Sequence, residues 1–298
     1  MHKPNALAKG DLIFIVSPAK SIEAHHISHA KKIMEDWGYK VEISKHASNR
    51  RNYFSGSDNE RLSDLQKALD DSKVKAIVCA RGGYGSVRIL DELNWSGFKT
   101  HPKWLVGFSD ITVFHLRCAI LGIMSLHATM PLNFASNSKE ALSTLDAALS
   151  GKQFEINAPS SSFNKAGLAS GKLIGGNLSI IFSLLGTQDR FDFEKGILFL
   201  EDLSEQLYHL DRMFFALKKA GIFNKINGLI IGGMTDLKDT TPSFGMTYEE
   251  IILEKMNEIA IPICFNFPSG HIDDNRAMIL GTPVELNVNS NGATLCYV

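Results

Sequence analysis

Cysteine is scarce in this chain: four residues, at positions 79, 118, 264 and 296 of 298. No two stand at the spacing of a metal site, and Cys79 and Cys118 lie inside apolar runs, as core thiols of a reducing compartment do. Net charge is also lacking. The formal balance is −1 and no basic run stands out, which argues against a nucleic-acid binder. Long hydrophobic runs are missing too. No stretch approaches the ~18 apolar residues of a membrane span. The first apolar run, Leu12 to Val16, is too short for a signal-peptide core. The expected setting is therefore the cytoplasm, with no membrane partner. Internal repeats and low-complexity segments are absent. Two nucleotide signatures fail as well. The dinucleotide fingerprint starting at Gly83 needs a glycine at 88, where Arg88 stands, and no Gly-Lys-Ser/Thr occurs. His25 and His29 are spaced for one helix face, but the glutamate of a His-Glu-x-x-His zinc motif is missing. No cofactor and no metal are expected.

What the chain does carry is a set of polar residues delivered by short apolar runs. Trp104-Leu105-Val106-Gly107-Phe108-Ser109-Asp110 reads as a strand ending at Gly107, followed by a helix over 110–121 with apolar residues at Ile111, Phe114, Leu116 and Ile120. A serine at such a turn is either a helix N-cap or a nucleophile elbow, which lifts the hydroxyl out of the sheet beside backbone N–H groups. The elbow pattern Gly-x-Ser-x-Gly is incomplete, because Ile111 takes its last position. A second strand, 74–79, runs into Arg81-Gly82-Gly83-Tyr84-Gly85-Ser86. So many glycines let a backbone approach a ligand closely, or simply turn tightly from strand to helix.

Further on, Gly196-Ile-Leu-Phe-Leu delivers Glu201 to a strand's C-terminal end, where open α/β sheets place ligands. Asp202, with Glu205 three residues later, reads as the cap of a helix over 203–220, which leaves Glu201 without a structural task. Phe267-Pro268-Ser269-Gly270-His271 puts a histidine on a turn after a strand at 261–265. Taken alone, such a histidine is commonly a surface residue. A serine, a histidine base and a carboxylate that orients it are what acyl transfer needs, and the chain offers them in the order Ser109, Glu201, His271. Arg81 and Arg88 flank the glycine loop and suit either a substrate carboxylate or a structural ion pair. Tyr84 and Asn177 join them as candidate substrate contacts.

The fold class follows from alternation. Strands at 11–16, 40–44, 74–79 and 104–107 alternate with helices at 22–37, 58–71 and 110–121, and a helix at 138–149 closes the series. This pattern predicts a flavodoxin- or Rossmann-like parallel sheet domain over 1–150. Residues 151–169, rich in Ser, Asn, Ala and Gly with Pro159, read as a linker. Strands near 171–174, 196–201, 226–231, 261–265, 278–280 and 283–288, with helices at 177–186, 203–220 and 247–258, predict a smaller, more β-rich α/β domain over 170–298. Ser109 precedes the linker and Glu201 and His271 follow it, so the active site is expected in the interdomain cleft.

At this point the sequence resembles a known family. Arg81-Gly82-Gly83-Tyr84-Gly85, Gly107-Phe108-Ser109-Asp110, Gly175-Gly176-Asn177-Leu178, Leu200-Glu201-Asp202 and Gly270-His271 look like successive signatures of the LD-carboxypeptidases (muramoyltetrapeptide carboxypeptidases). That serine peptidase family also includes the microcin C self-immunity peptidases. Leu184-Leu185-Gly186-Thr187, Asp211-Arg212-Met213 and Gly228-Leu-Ile-Ile-Gly232 add to the match, which runs from Ile13 to Gly281. The chain departs from the family where His127-Ala128-Thr129-Met130 replaces the usual His-Gly-Pro-Met.

The resemblance implies Ser109 as nucleophile, His271 as base and Glu201 as its orienting partner, with the N–H groups of Asp110 and Gly83 as oxyanion hole. It implies release of terminal D-alanine from a cytosolic murein tetrapeptide, a recycling reaction that uses no cofactor. One alternative is an immunity-type peptidase acting on an aminoacyl-nucleotide amide. Those relatives carry an aromatic-bearing loop, and no matching insertion is evident between residues 122 and 200. A second alternative is a two-domain protein that only binds a small ligand. A homodimer is left open.

Overall fold

Short runs of β-branched and aliphatic residues become the strands, and their burial shows why they read so continuously. The computed structural model describes residues 1–189 and 191–298. It divides into two units, one of residues 1–153 and 273–281, the other of residues 154–272 and 282–298.

The first unit runs β1 (Leu12–Val16), α1 (Ala24–Asp36), β2 (Lys40–Ile43), α2 (Asp58–Asp70), β3 (Val74–Cys79), the short helices α3 (Val87–Leu90) and α4 (Ser96–Thr100), β4 (Trp104–Gly107), α5 (Thr112–Ile120), β5 (Ser125–His127) and α6 (Lys139–Ser150). Strand order from one edge is β2-β1-β3-β4-β5, all parallel, and Met278–Leu280 adds an antiparallel strand beyond β5. Consecutive residues of β3 and β4, from Ala76 to Val78 and from Trp104 to Val106, are fully buried, which requires both sheet faces to be covered. The chain leaves β1 outward to β2 and returns to β3 on the other side of β1. The loops after β1 and β3 therefore share the point where strand order reverses, the usual ligand crevice of an open parallel sheet. A capping box at Ser57 and Glu60 fixes the start of α2.

The second unit runs β6 (Glu155–Pro159), β7 (Gly167–Asn177), α7 (Leu178–Leu184), β8 (Gly196–Leu203), α8 (Leu207–Lys219), β9 (Gly228–Thr235), α9 (Tyr248–Lys255) and β10 (Ile263–Cys264). With Met278–Leu280 as β11 in the other unit's sheet, the chain ends in the hairpin β12 (Pro283–Asn289) and β13 (Gly292–Tyr297). The sheet order is β10-β9-β8-β7-β12-β13-β6, parallel from β10 to β7 and antiparallel from there on. No helix among the described residues is long and apolar enough to cross a membrane.

Three sequence expectations change. The stretch 151–169, read as a linker from its polar composition, contains β6, which alternates Ile156 and Ala158 inward and pairs with β13. Residues 273–281 lie in the first unit, because Met278–Leu280 completes that unit's sheet beside β5. The helix expected over 203–220 starts only at Leu207, because β8 continues through Leu203 and pairs with β9 as far as Thr235.

Candidate functional site

Ser109 follows β4 almost directly. Its backbone is left-handed, with φ +63°, a region non-glycine residues seldom occupy. An N-cap serine has an extended backbone, and here that conformation belongs to Phe108, the residue at the cap of the Ser109–Ile111 turn. The turn therefore has the form of a nucleophile elbow. Its neighbour is the glycine loop. A Cβ on Gly82 would stand 3.1 Å from Ser109 Cβ and 3.3 Å from the Asp110 nitrogen, so only glycine brings that loop so near the serine without displacing something. The Asp110 N–H lies in the first turn, where no helical acceptor exists, and neither it nor the Gly83 N–H donates to another backbone group among the described residues. Both amides suit a developing oxyanion.

Buried polar groups that the sequence did not single out hold this arrangement. The Ser86 N–H donates to Asp110 Oδ2 at 2.9 Å, and burial raises the pKa of that carboxyl. Arg61, 1% exposed, donates through Nη1 to the Gly85 carbonyl at 2.9 Å and also to the Pro18 carbonyl. These bonds pin the glycine loop to the elbow and to the loop after β1. His115 is fully enclosed, with Nε2 2.9 Å from the Gly107 carbonyl and Nδ1 2.9 Å from Ser125 Oγ. Burial pushes its pKa down to about 3, with His127 adding to the effect. A neutral ring must donate to the carbonyl through Nε2, so Nδ1 accepts from the serine. No sequence periodicity distinguishes Ser86, Arg61 or His115 from ordinary structural residues.

In the second unit, Glu201 and Asp202 occur where the β8–β9 register shifts, between Leu200 and Asp202. The extra residue there lies on β9, while β8 is enclosed on both faces, so two successive carboxylates are both buried, Glu201 0% and Asp202 2% exposed. The His271 loop is stitched to the end of β9 by the Gly233 N–H, which donates to the Ser269 carbonyl at 2.9 Å. Gly270, with φ +110°, fits against Glu201, since a Cβ there would be 2.7 Å from Glu201 Cβ. This brings His271 Nδ1 to 2.5 Å from Glu201 Oε2. Burial acts to lower the His271 pKa, but the charge and hydrogen bond of Glu201 outweigh it, with a further push from Asp202, and the net shift is upward.

Asp202 does not cap α8. Its Oδ2 accepts from the Ser179 N–H at 2.9 Å and its Oδ1 from Asn177 Nδ2 at 3.0 Å, so it serves the start of α7. α8 has Gln206 at its N-cap, which makes no side-chain capping bond. Burial first and the Glu201 charge second raise Asp202 to about 7. Asn177 is the N-cap of α7, accepting from the Ile180 N–H at 3.2 Å. The structure ties the remaining candidates as follows. Arg88 pairs with Asp58 through Nη2 at 2.6 Å and Nε at 3.0 Å. Arg81 donates through Nη1 to the Ser21 carbonyl at 3.0 Å. Tyr84 is exposed, its ring 6.2 Å from that of Phe54.

Known proteins share both the sequence pattern and the fold. A family model described as the LD-carboxypeptidase N-terminal domain matches residues 13–128, and one described as the LD-carboxypeptidase C-terminal domain matches residues 170–286. A protein of Synechocystis named as a carboxypeptidase is 33% identical, over 99% of this chain and 97% of its own. The murein tetrapeptide carboxypeptidase of Pseudomonas aeruginosa is 28% identical, over 93% of each chain. The crystal structure of the muramoyltetrapeptide carboxypeptidase of Oxalobacter formigenes superposes with a TM-score of 0.88 at 26% identity, covering 96% of this chain and 98% of that one. An MccF-like protein of Bacillus anthracis gives the same TM-score at 25% identity, covering 100% and 99%.

Proposed function

Because the chain belongs to the LD-carboxypeptidase family of serine peptidases, we propose that it removes the terminal D-alanine from a murein tetrapeptide through an acyl-enzyme on Ser109. In this reading His271 takes the Ser109 proton as Oγ bonds to the carbonyl carbon next to the terminal residue. Glu201, 2.5 Å from Nδ1, holds the ring with Nε2 as the basic nitrogen and stabilises the imidazolium that forms. The N–H groups of Asp110 and Gly83 receive the oxyanion. The C–N bond breaks, His271 returns its proton to the leaving amine, and water then releases the shortened peptide by the same steps. The reading requires Ser109 Oγ to meet His271 Nε2 during catalysis.

The observation that carries this reading is the left-handed Ser109 set against Gly82, with two nearby backbone N–H groups that no backbone acceptor claims among the described residues. The names of the Pseudomonas and Oxalobacter relatives support the substrate. The cytosolic recycling role belongs to the same proposal. A second reading, cleavage of an aminoacyl-nucleotide amide, draws support from the equal TM-score of the MccF-like protein.

The test is incubation of purified protein with murein tetrapeptide and, separately, with an aminoacyl sulfamoyl nucleoside, followed by mass spectrometry. Loss of one alanine from the tetrapeptide alone is expected. Cleavage of the nucleoside conjugate alone would transfer the proposal to the second reading. Fluorophosphonate labelling of Ser109 separates both from a protein that only binds.

A further inference from the structure

A peptidase that removes a single C-terminal residue has to recognise a free carboxylate close to the attacked carbonyl. The two arginines that flank the glycine loop each already have a partner. Arg88 is committed to Asp58, and Arg81 is drawn to the Ser21 carbonyl. A third cation, which no sequence motif singles out, lies over the glycine loop. Lys20 lies in the loop after β1, at the point where strand order reverses beside the loop after β3. Its backbone N–H donates to the Gly82 carbonyl at 3.4 Å. The backbone around it is fixed by Ser21 N–H to the Tyr53 carbonyl at 3.0 Å and Ser55 N–H to the Ala19 carbonyl at 3.0 Å.

The side chain then runs over Gly83. A Cβ placed on that glycine would be 2.9 Å from Lys20 Cβ, 3.3 Å from Lys20 Cδ and 3.1 Å from the Tyr53 hydroxyl. The ammonium sits 4.8 Å from the centre of the Tyr53 ring and, among the described residues, makes no ion pair. Burial raises the Tyr53 phenol pKa, and the charges of Arg81 and Asp110 bear on it in opposite senses, which puts the platform within electrostatic range of the elbow.

We propose that Lys20, seated on Tyr53 beside Gly83, binds the C-terminal carboxylate of the peptide substrate. The reach is suitable. Lys20 Nζ is two bonds of about 1.5 Å beyond Cδ, and the carboxylate carbon of a terminal residue is three bonds, under about 4.3 Å, from the attacked carbonyl carbon. With that carbonyl's oxygen at the Gly83 N–H, the carboxylate and the ammonium fall within each other's range. An ammonium that pairs with no carboxylate among the described residues is available to an incoming one, while the aromatic face keeps it oriented. This assignment rests on the proposed carboxypeptidase reading and adds the group that makes the site select a chain end over an internal bond.

The test compares a tetrapeptide ending in D-alanine with the same peptide ending in D-alanine amide, for the wild type, Lys20→Met and Lys20→Arg, with melting curves as a check on folding. The expected wild-type preference for the acid in kcat/KM is roughly 10- to 100-fold, the usual worth of a hydrogen bond to a charged group. Lys20→Met should bring the ratio near one, mainly through KM for the acid, and Lys20→Arg should keep most of it. A wild type with no preference, or a Lys20→Met ratio equal to the wild type's, overturns the assignment while leaving the peptidase reading in place. Failure of the wild type to release alanine from the acid overturns the peptidase reading and this assignment with it.

Discussion

Replacing Glu201 by glutamine tests the second unit's contribution without relying on the first. In the wild type, burial acts to lower the His271 pKa below the ordinary 6.5 of an imidazole, and the Glu201 carboxylate reverses the sign. The substituted amide is nearly the same size and can still offer a carbonyl oxygen to Nδ1, but it carries no charge. A hydrogen bond to an ionised partner is worth about 1.5–3 kcal/mol and a neutral one about 0.5–1.5 kcal/mol. The difference, on the order of 1–2 kcal/mol, disfavours the imidazolium, so the pKa of the ring falls. With the carboxylate gone, burial is opposed only by Asp202 and a neutral hydrogen bond, so the His271 pKa should cross from above 6.5 to below it. The same change removes stabilisation of the imidazolium and allows the ring to adopt the wrong tautomer, which lowers kcat by roughly 10²- to 10⁴-fold. The assay is an NMR titration of the His271 ring in both proteins, paired with the pH dependence of kcat/KM. The acid limb should have its midpoint above 6.5 in the wild type and shift downward in Glu201→Gln. A ring pKa that stays above 6.5 in the variant would refute the assignment of the upward shift to Glu201.

Three further outcomes follow from individual contacts. Gly82→Ala places a Cβ 3.1 Å from Ser109 Cβ and 3.2 Å from the Phe108 carbonyl oxygen, so kcat should fall at least roughly tenfold while the melting temperature changes little; unchanged turnover would contradict the close approach. The folded Asp202 carboxyl keeps its proton to about pH 7 whereas an unfolded aspartate releases it near 3.8, so stability should fall as pH rises across that window. Asp202→Asn should flatten the slope in pH-dependent melting, and an equally steep slope would count against burial as the cause. His115 titrates at about 3 in the fold against 6.5 unfolded, so it lowers stability as pH drops through that interval. His115→Leu should cost about 1–3 kcal/mol at neutral pH through the partners it strands, as read by urea melts, and should lessen the acid loss.

The parts of the fold that are legible in the sequence are those in which periodicity and burial coincide. The runs at 74–79 and 104–107 are strands because they are enclosed on both faces, and apolar residues without alternation are the mark of that situation. The edge strand β6 escapes a sequence reading because its outward residues, Glu155, Asn157 and Pro159, give it the composition of a loop. The three-residue β5 escapes it through its length, and β13 because Gly292 and Ala293 open it without a run of β-branched residues. At the site, residues on strand ends are readable, because a polar residue directly after an apolar run stands out. Arg61, His115 and Lys20 act through contacts made only by the folded chain, and along the sequence they look like an ordinary helix arginine, an ordinary core-facing histidine and a loop lysine. Asp202 reads as the cap of the wrong helix because its partner, the N-terminus of α7, lies 23 residues earlier in the chain.

Everything in the proposed mechanism turns on Ser109 carrying the acyl group. The direct measurement is intact-protein and peptide-level mass spectrometry of enzyme quenched in acid during turnover of murein tetrapeptide, for the wild type, Glu201→Gln and Ser109→Ala. The expected result is a mass increase equal to the tetrapeptide less one free alanine, located on Ser109 in the wild type, formed more slowly in Glu201→Gln, and absent in Ser109→Ala. Release of D-alanine by a correctly folded Ser109→Ala protein, or an adduct on another residue, would contradict it.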